Sequence, residues 1–175
     1  MVAQRPRDLL RAGIVAMLAI GLGTAAATVP AAASVQAVSS GAKTDADQRN
    51  ITYREWTTDA DFATGAASGV AAGSGSLTMV SAAGTASYTD PYGTTGAHSY
   101  DFATWTSPTI TVGFAATEAI SSWNAATPGG TWLQVELRGT TEAGATTKWY
   151  VLGRWASGDT EIHRTSVPTQ GDADG

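Results

Sequence analysis

An antiparallel all-β fold, a sandwich or jelly roll, is predicted by three observations. Short stretches alternate apolar and polar side chains, as in TITVGF over residues 109–114. Turn formers punctuate the chain throughout, with 20 Gly and 6 Pro in 175 residues. No segment longer than about a dozen residues carries a helical period, so strands joined by tight turns are the architecture to expect.

The chain opens with Arg5, Arg7 and Arg11, then the apolar run AGIVAMLAIGLGTAAA, then VPAAAS. A basic start, a short apolar run and an A-x-A site describe a secretory signal peptide. The run is too short and too rich in Ala and Gly for a membrane span. Cleavage after Ala33 fits best, with Ala37 as a second site. The expected organisation is a leader over 1–33, a small polar lead-in over 34–49 (SVQAVSSGAKTDADQR) and a β-module over 50–175. The expected destination is extracellular.

Residues 1–33 hold Arg5, Arg7, Arg11 and Asp8, so their removal leaves 14 acidic and 7 basic side chains, a net charge near −7. An acidic chain without a basic run argues against nucleic acid and anionic membranes as partners. Cysteine is absent altogether. An exported domain of this composition has no disulfide and must hold by packing alone, and it has no thiol nucleophile.

Along the module, ITYREW at 51–56 alternates and reads as a first strand. The stretch 62–90 is dense in Gly and Ser, yet Phe62, Val70, Leu77, Met79 and Val80 mark short strands, SLTMV among them. Asp90-Pro91-Tyr92-Gly93 is a turn. A strand is expected around Ser99 to Thr106 and another in TITVGF. FAATEAISSWNAAT allows one helical turn before Pro128-Gly129-Gly130 stops it. The chain reaches GDADG without a closing strand, and the sandwich is expected to be incomplete at that end.

The hairpin TWLQVELRGTTEAGATTKWYVLGRW carries the richest chemistry. Opposed residues share a face, so a pairing that sets Glu136 against Lys148, Val135 against Trp149 and Leu133 against Val151 is favoured, with a loop over 139–145. This register predicts Trp149 and Trp155 in the core with Leu133, Val135, Leu137 and Val151. It gathers Trp132, Gln134, Glu136, Lys148, Tyr150 and Arg154 on one mixed face. An aromatic beside hydrogen-bonding groups suits a sugar ring, so these six are the candidate ligand-binding residues. The other possibility is that a strand or neighbouring domain covers them.

Catalytic and metal signals are weak. G-x-S-x-G and H-E-x-x-H motifs are missing, and His98 and His163 are the only histidines. Asp59 and Asp61 are an isolated pair, and Asp172-Ala173-Asp174-Gly175 has only the first residues of a calcium loop. Asn50-Ile51-Thr52 is a glycosylation acceptor pattern. No catalytic residue, metal or cofactor is assigned.

The Arg- and Ala-rich leader, ITYREWTT, DFATWTSP, SSWNAATPGGTWLQVELRG and TKWYVLGRWASGD together resemble the N-terminal β-rich region of secreted actinobacterial C39-family (C39-like) cysteine peptidases. The resemblance spans roughly residues 51–175. It implies a non-catalytic module ahead of a papain-like peptidase domain whose thiol and histidine lie downstream, and a chain that is a fragment of such a precursor. Its expected role is to bind or position, with the downstream peptidase domain or an extracellular polysaccharide or cell wall as partner. Two alternatives stand beside it: a carbohydrate-binding module of an exported glycan-active enzyme, of galactose-binding-like form, and a purely structural domain packed on its neighbour.

Overall fold

The computed structural model describes residues 11–20, 50–94, 96–159 and 162–173. The lead-in over 34–49 and the greater part of the leader lie outside them. Nine strands and one short helix follow in order: β1 Arg11–Ile20, α1 Asp59–Phe62, β2 Ala66–Ser68, β3 Val70–Gly73, β4 Ser76–Met79, β5 Gly84–Tyr88, β6 His98–Thr106, β7 Ile110–Thr111, β8 Thr131–Arg138 and β9 Tyr150–Trp155. The all-β, antiparallel class holds. The described strands form one seven-stranded sheet and a separate two-stranded ribbon, β3-β4, rather than two sheets of comparable size.

The sheet runs β2-β6-β1-β8-β9, with β5 continuing the edge that β2 begins along β6. The apolar run that begins after Arg11 therefore supplies a central strand. Residues 15–20 pair with residues 106–101 of β6, and residues 13–20 pair with residues 138–131 of β8. Without a strand there, β6 and β8 would each lose a full row of backbone partners.

Successive side chains of β6 point to opposite faces, and those two faces build two separate cores. On one face Trp105 (4 % exposed) and Ala103 lie in register with the buried Leu133 and Val135 of β8. Trp105 meets the edges of Trp56 and Phe62 at centroid distances of 5.5 and 5.6 Å, and its indole N–H donates to the Phe62 carbonyl at 2.8 Å. The helix that delivers Phe62 is a single turn held by a capping box. Thr58 Oγ1 accepts from the Asp61 N–H, and the Asp61 carboxylate accepts from the Thr58 N–H. The T-x-x-D spacing of Thr58 and Asp61 was readable in sequence. Asp59, the other half of that acidic pair, accepts from the Gly75 N–H at 2.7 Å and ties the helix to the β3-β4 turn.

The opposite face of β6 carries Tyr100 and Phe102. They join Tyr88, Trp132, Ala156 and Ile162, the last of which is fully buried.

Three expectations are corrected. ITYREW is not a strand: Ile51 and Tyr53 are 83 % and 75 % exposed, and residues 50–56 run as irregular chain. Alternation alone does not make a strand when no neighbour offers backbone partners. TITVGF contributes only β7, and the stretch 112–128 is irregular with no helical turn. The β8-β9 register also differs. Leu133 opposes Trp155, Gln134 opposes Arg154 and Val135 opposes Gly153. A bulge then places Glu136 against Val151 and Leu137 against Tyr150. A Glu-Lys cross-strand pair contributes only tenths of a kcal/mol, whereas the observed register puts the side-chain-free Gly153 under the Trp123 ring.

The β3-β4 ribbon leaves the sheet at Gly69, whose carbonyl accepts from both Val80 and Ser81. Its φ of 75° is left-handed, and a Cβ there would strike the Ser81 carbonyl. Gly69→Ala is expected to lower stability by more than about 1 kcal/mol, read as a shift of the urea midpoint with an unchanged slope.

Candidate functional site

The six residues proposed for a mixed binding face divide into two groups, Trp132, Gln134, Glu136 and Arg154 on one face and Lys148 with Tyr150 beyond the bulge, where Tyr150 opposes Leu137. Most of their polar atoms are spent within these groups and on the C-terminal segment. Trp132 is 5 % exposed and Gln134 8 %. The Trp132 ring lies 4.7 Å from that of Tyr88, tilted by 34°, and 5.8 Å from that of Tyr100, edge-on at 86°. Gln134 Nε2 donates to Glu136 at 2.6 Å, and Gln134 Oε1 accepts from Arg154 Nε at 2.7 Å. The Arg154 guanidinium also sits over the Tyr88 ring at 4.9 Å. Burial pushes the Tyr88 phenol above its usual range, with the Arg154 charge opposing it. The hydroxyl of Tyr88 and the indole N–H of Trp132 are buried without a hydrogen-bond partner among the described residues.

At the far end of β9, Lys148 pairs with Asp172 at 2.8 Å, donates to the Gln170 carbonyl and lies over the Tyr150 ring. The Tyr150 hydroxyl donates to Asp172 at 2.6 Å. Gln170 uses its side-chain amide as a strand would use its backbone, accepting from Val151 N–H at 2.7 Å and donating to Val151 O at 2.9 Å. Thr165 exchanges two backbone bonds with Arg154. Residues 165–172 thus occupy the outer edge of β9, the edge that would otherwise invite another strand. Asp172, first residue of the calcium-loop-like run, is engaged here, while residues 174 and 175 lie outside the described ones.

The tryptophans differ from the expectation in burial, while Trp155 keeps the face it was expected to share with Leu133. Trp132 is the buried one, and Trp149 and Trp155 are half-buried. Arg138 covers Trp149 at 4.5 Å, over a small polar hollow of ≈ 110 Å³ that also touches Thr106, Ser107 and Thr140. Trp155 and Trp123 line an open depression with Ser121 and Ser122. The physical reason is the four-residue shift in register together with the bulge. Together they place Trp155 opposite Leu133 at the start of β8, and leave Trp149 ahead of the first residue of β9.

One arrangement escaped sequence reasoning. Asp90, 7 % exposed, accepts from the Tyr92 N–H at 2.9 Å, from the His163 N–H at 2.8 Å and lies 2.7 Å from His163 Nδ1. The Asp-Pro-Tyr-Gly turn was legible, but its partner lies 73 residues away. An Asp-His pair of this geometry is two thirds of a hydrolytic triad. The pair clasps the turn to the segment that buries Ile162, and no Ser or Thr hydroxyl is hydrogen-bonded to the His163 ring among the described residues. His98 sits apart, exposed at the start of β6. No cluster of three His, Asp or Glu gathers as a metal site, and no helix is long and apolar enough to cross a membrane, among the described residues.

A family model described as the peptidase C39 N-terminal domain, of actinobacterial type, matches residues 52–175. The chain belongs to this family. The matched span takes in α1, both aromatic cores, the Asp90-His163 clasp and the β8-β9 hairpin, and it leaves β1 outside. No curated protein matches the chain. No solved structure matches it.

Two outcomes follow. Trp132→Ala is expected to cost about 3–5 kcal/mol, and Trp149→Ala well under that, in urea unfolding followed by far-UV circular dichroism. Burial alone would raise the Asp90 carboxyl. The His163 N–H and ring and the Tyr92 N–H outweigh it and hold the group below its ordinary value of 3.8. A depressed carboxylate contributes stability that is present above its unfolded pKa and lost as pH falls through the lower folded one. Stability should therefore drop as pH falls from about 4 downward, and Asp90→Asn should be less stable at pH 7 with a flatter acid limb.

Proposed function

We propose that the chain is the exported, non-catalytic module of a C39-type peptidase precursor and that it positions the peptidase domain. The observation that carries this reading is the internal use of the mixed face. Trp132 is packed under Tyr88 and Tyr100, and Gln134, Arg154, Lys148 and Tyr150 are each engaged within the chain. A sugar site needs such groups turned outward, whereas a scaffold needs them to rigidify the fold around the segment 162–172. The family match supports association with a C39-type peptidase. The basic start and apolar run of the leader support export, and a chain without cysteine cannot itself furnish the thiol.

The carbohydrate reading keeps one foothold, the two half-exposed tryptophans Trp123 and Trp155 beside Ser121 and Ser122. Titration of the chain with a C39-type peptidase domain separates the two. Positioning predicts a saturable change in tryptophan emission, an altered KM of the peptidase, and no peptide hydrolysis by the chain alone. Flat peptidase titrations together with polysaccharide binding that is lost in Trp123→Ala and Trp155→Ala would sink the positioning role.

A further inference from the structure

We infer that residues 109–114 take the place of β1 in the processed protein, so that the leader strand holds a slot which TITVGF later fills. The inference rests on the proposed removal of residues 1–33. Among the described residues β1 is the sheet strand drawn from that segment, and it lies between β6 and β8, antiparallel to both. Its loss would leave a gap of roughly 10 Å, two strand spacings, with two facing rows of unpaired backbone groups.

The segment that fits the gap is already attached to its rim. β6 ends at Thr106, and after Ser107-Pro108 the chain continues into β7, where Thr111 pairs with Arg11 and Ile110 with Ala12. A reversal over residues 106–109 would instead fold 109–114 back along β6. With Ser107-Pro108 as its two central residues, proline's fixed φ rules out a type I′ turn, and a type II′ turn puts Ser107 at positive φ. Opposing Trp105 with Ile110 places residues 109–114 at the six register positions that 15–20 hold against β6. Ile110 then falls between Trp105 and Val135, and Val112 between Ala103 and Leu133, all four of which are buried. Thr111 falls between Thr104 and the buried Gln134, and Gly113 between Phe102 and Trp132. The two hexapeptides, VAMLAI and TITVGF, match in kind at that last position, Ala19 against Gly113, between two aromatic residues.

Connectivity points the same way. With 109–114 in the slot, Phe114 falls opposite Thr131. Residues 115–130 then only bridge two neighbouring strand ends, and the sheet becomes a sequential meander from β6 to β9. This accounts for the strongest alternating stretch of the sequence forming two residues of strand while the leader is present. Gly113, now at φ 76°, is the residue best able to pass from a left-handed to an extended backbone.

The test uses a chain that lacks cysteine. Val112→Cys with Leu133→Cys is made in the full chain and in the processed form beginning at Ser34, and both are treated with a short bifunctional thiol reagent. In the full chain Val112 lies roughly 25 Å along the sheet from Leu133, so no cross-link forms there, while Leu18→Cys with Leu133→Cys does cross-link. The processed form is expected to cross-link through Val112, and Ile110→Asp is expected to abolish its cooperative unfolding while leaving that of the full chain intact. A processed form that is folded by near-UV circular dichroism without the Val112 cross-link overturns the inference, and so does one that does not fold. Mass spectrometry of protein recovered from the culture medium decides the export reading separately. If residues 1–33 remain, that reading fails, and the exchange is still decided on the chain made directly from Ser34.

Discussion

The backbone pairing on either side of residues 11–20 is the interaction on which the rest of this structure depends. It joins β6, with the β2-β5 edge and the ribbon attached, to β8, with β9 and the tail attached. The second core draws Tyr88, Tyr100 and Phe102 from one half and Trp132, Ala156 and Ile162 from the other, so it closes only when the middle strand sets the two halves in register. Backbone groups buried in a sheet must be paired, and that demand is indifferent to which sequence supplies the strand.

Around this centre the aromatic residues divide by face. Trp105 gathers Trp56 and Phe62 beneath the one-turn helix, and Trp132 gathers Tyr88 and Tyr100 under the C-terminal segment. Two small aromatic cores hold the fold of a chain that has no cysteine for a disulfide. The polar groups between them form a continuous set, Glu136 to Gln134 to Arg154, with Arg154 closing over Tyr88. Such a set rigidifies the hairpin at the expense of any ligand that would need the same atoms.

How far the sequence could be read depended on the range of the interaction concerned. Strands near Ser99, at SLTMV and in the hairpin are written in local alternation, as is the Asp90 turn in its Pro and Gly. The hairpin register was not, because opposed pairs differ by tenths of a kcal/mol and the bulge between Val135 and Glu136 shifts the pairing by one residue. The six candidate residues fall into two groups, and the partners that engage them, Tyr88, Gln170 and Asp172, lie more than 20 residues away in the chain.

By itself, the sequence determined the antiparallel β class, the acidic, thiol-free chemistry of the module and its likeness to the C39 N-terminal family. These rest on composition, local period and motif, which each residue carries wherever it sits. Only the tertiary structure decided that Trp132 is interior, that Asp90 clasps His163, and that an apolar run with the marks of a leader pairs as the central strand. Those outcomes depend on which distant backbone offers its hydrogen bonds and which distant ring covers a face, and no local pattern encodes either.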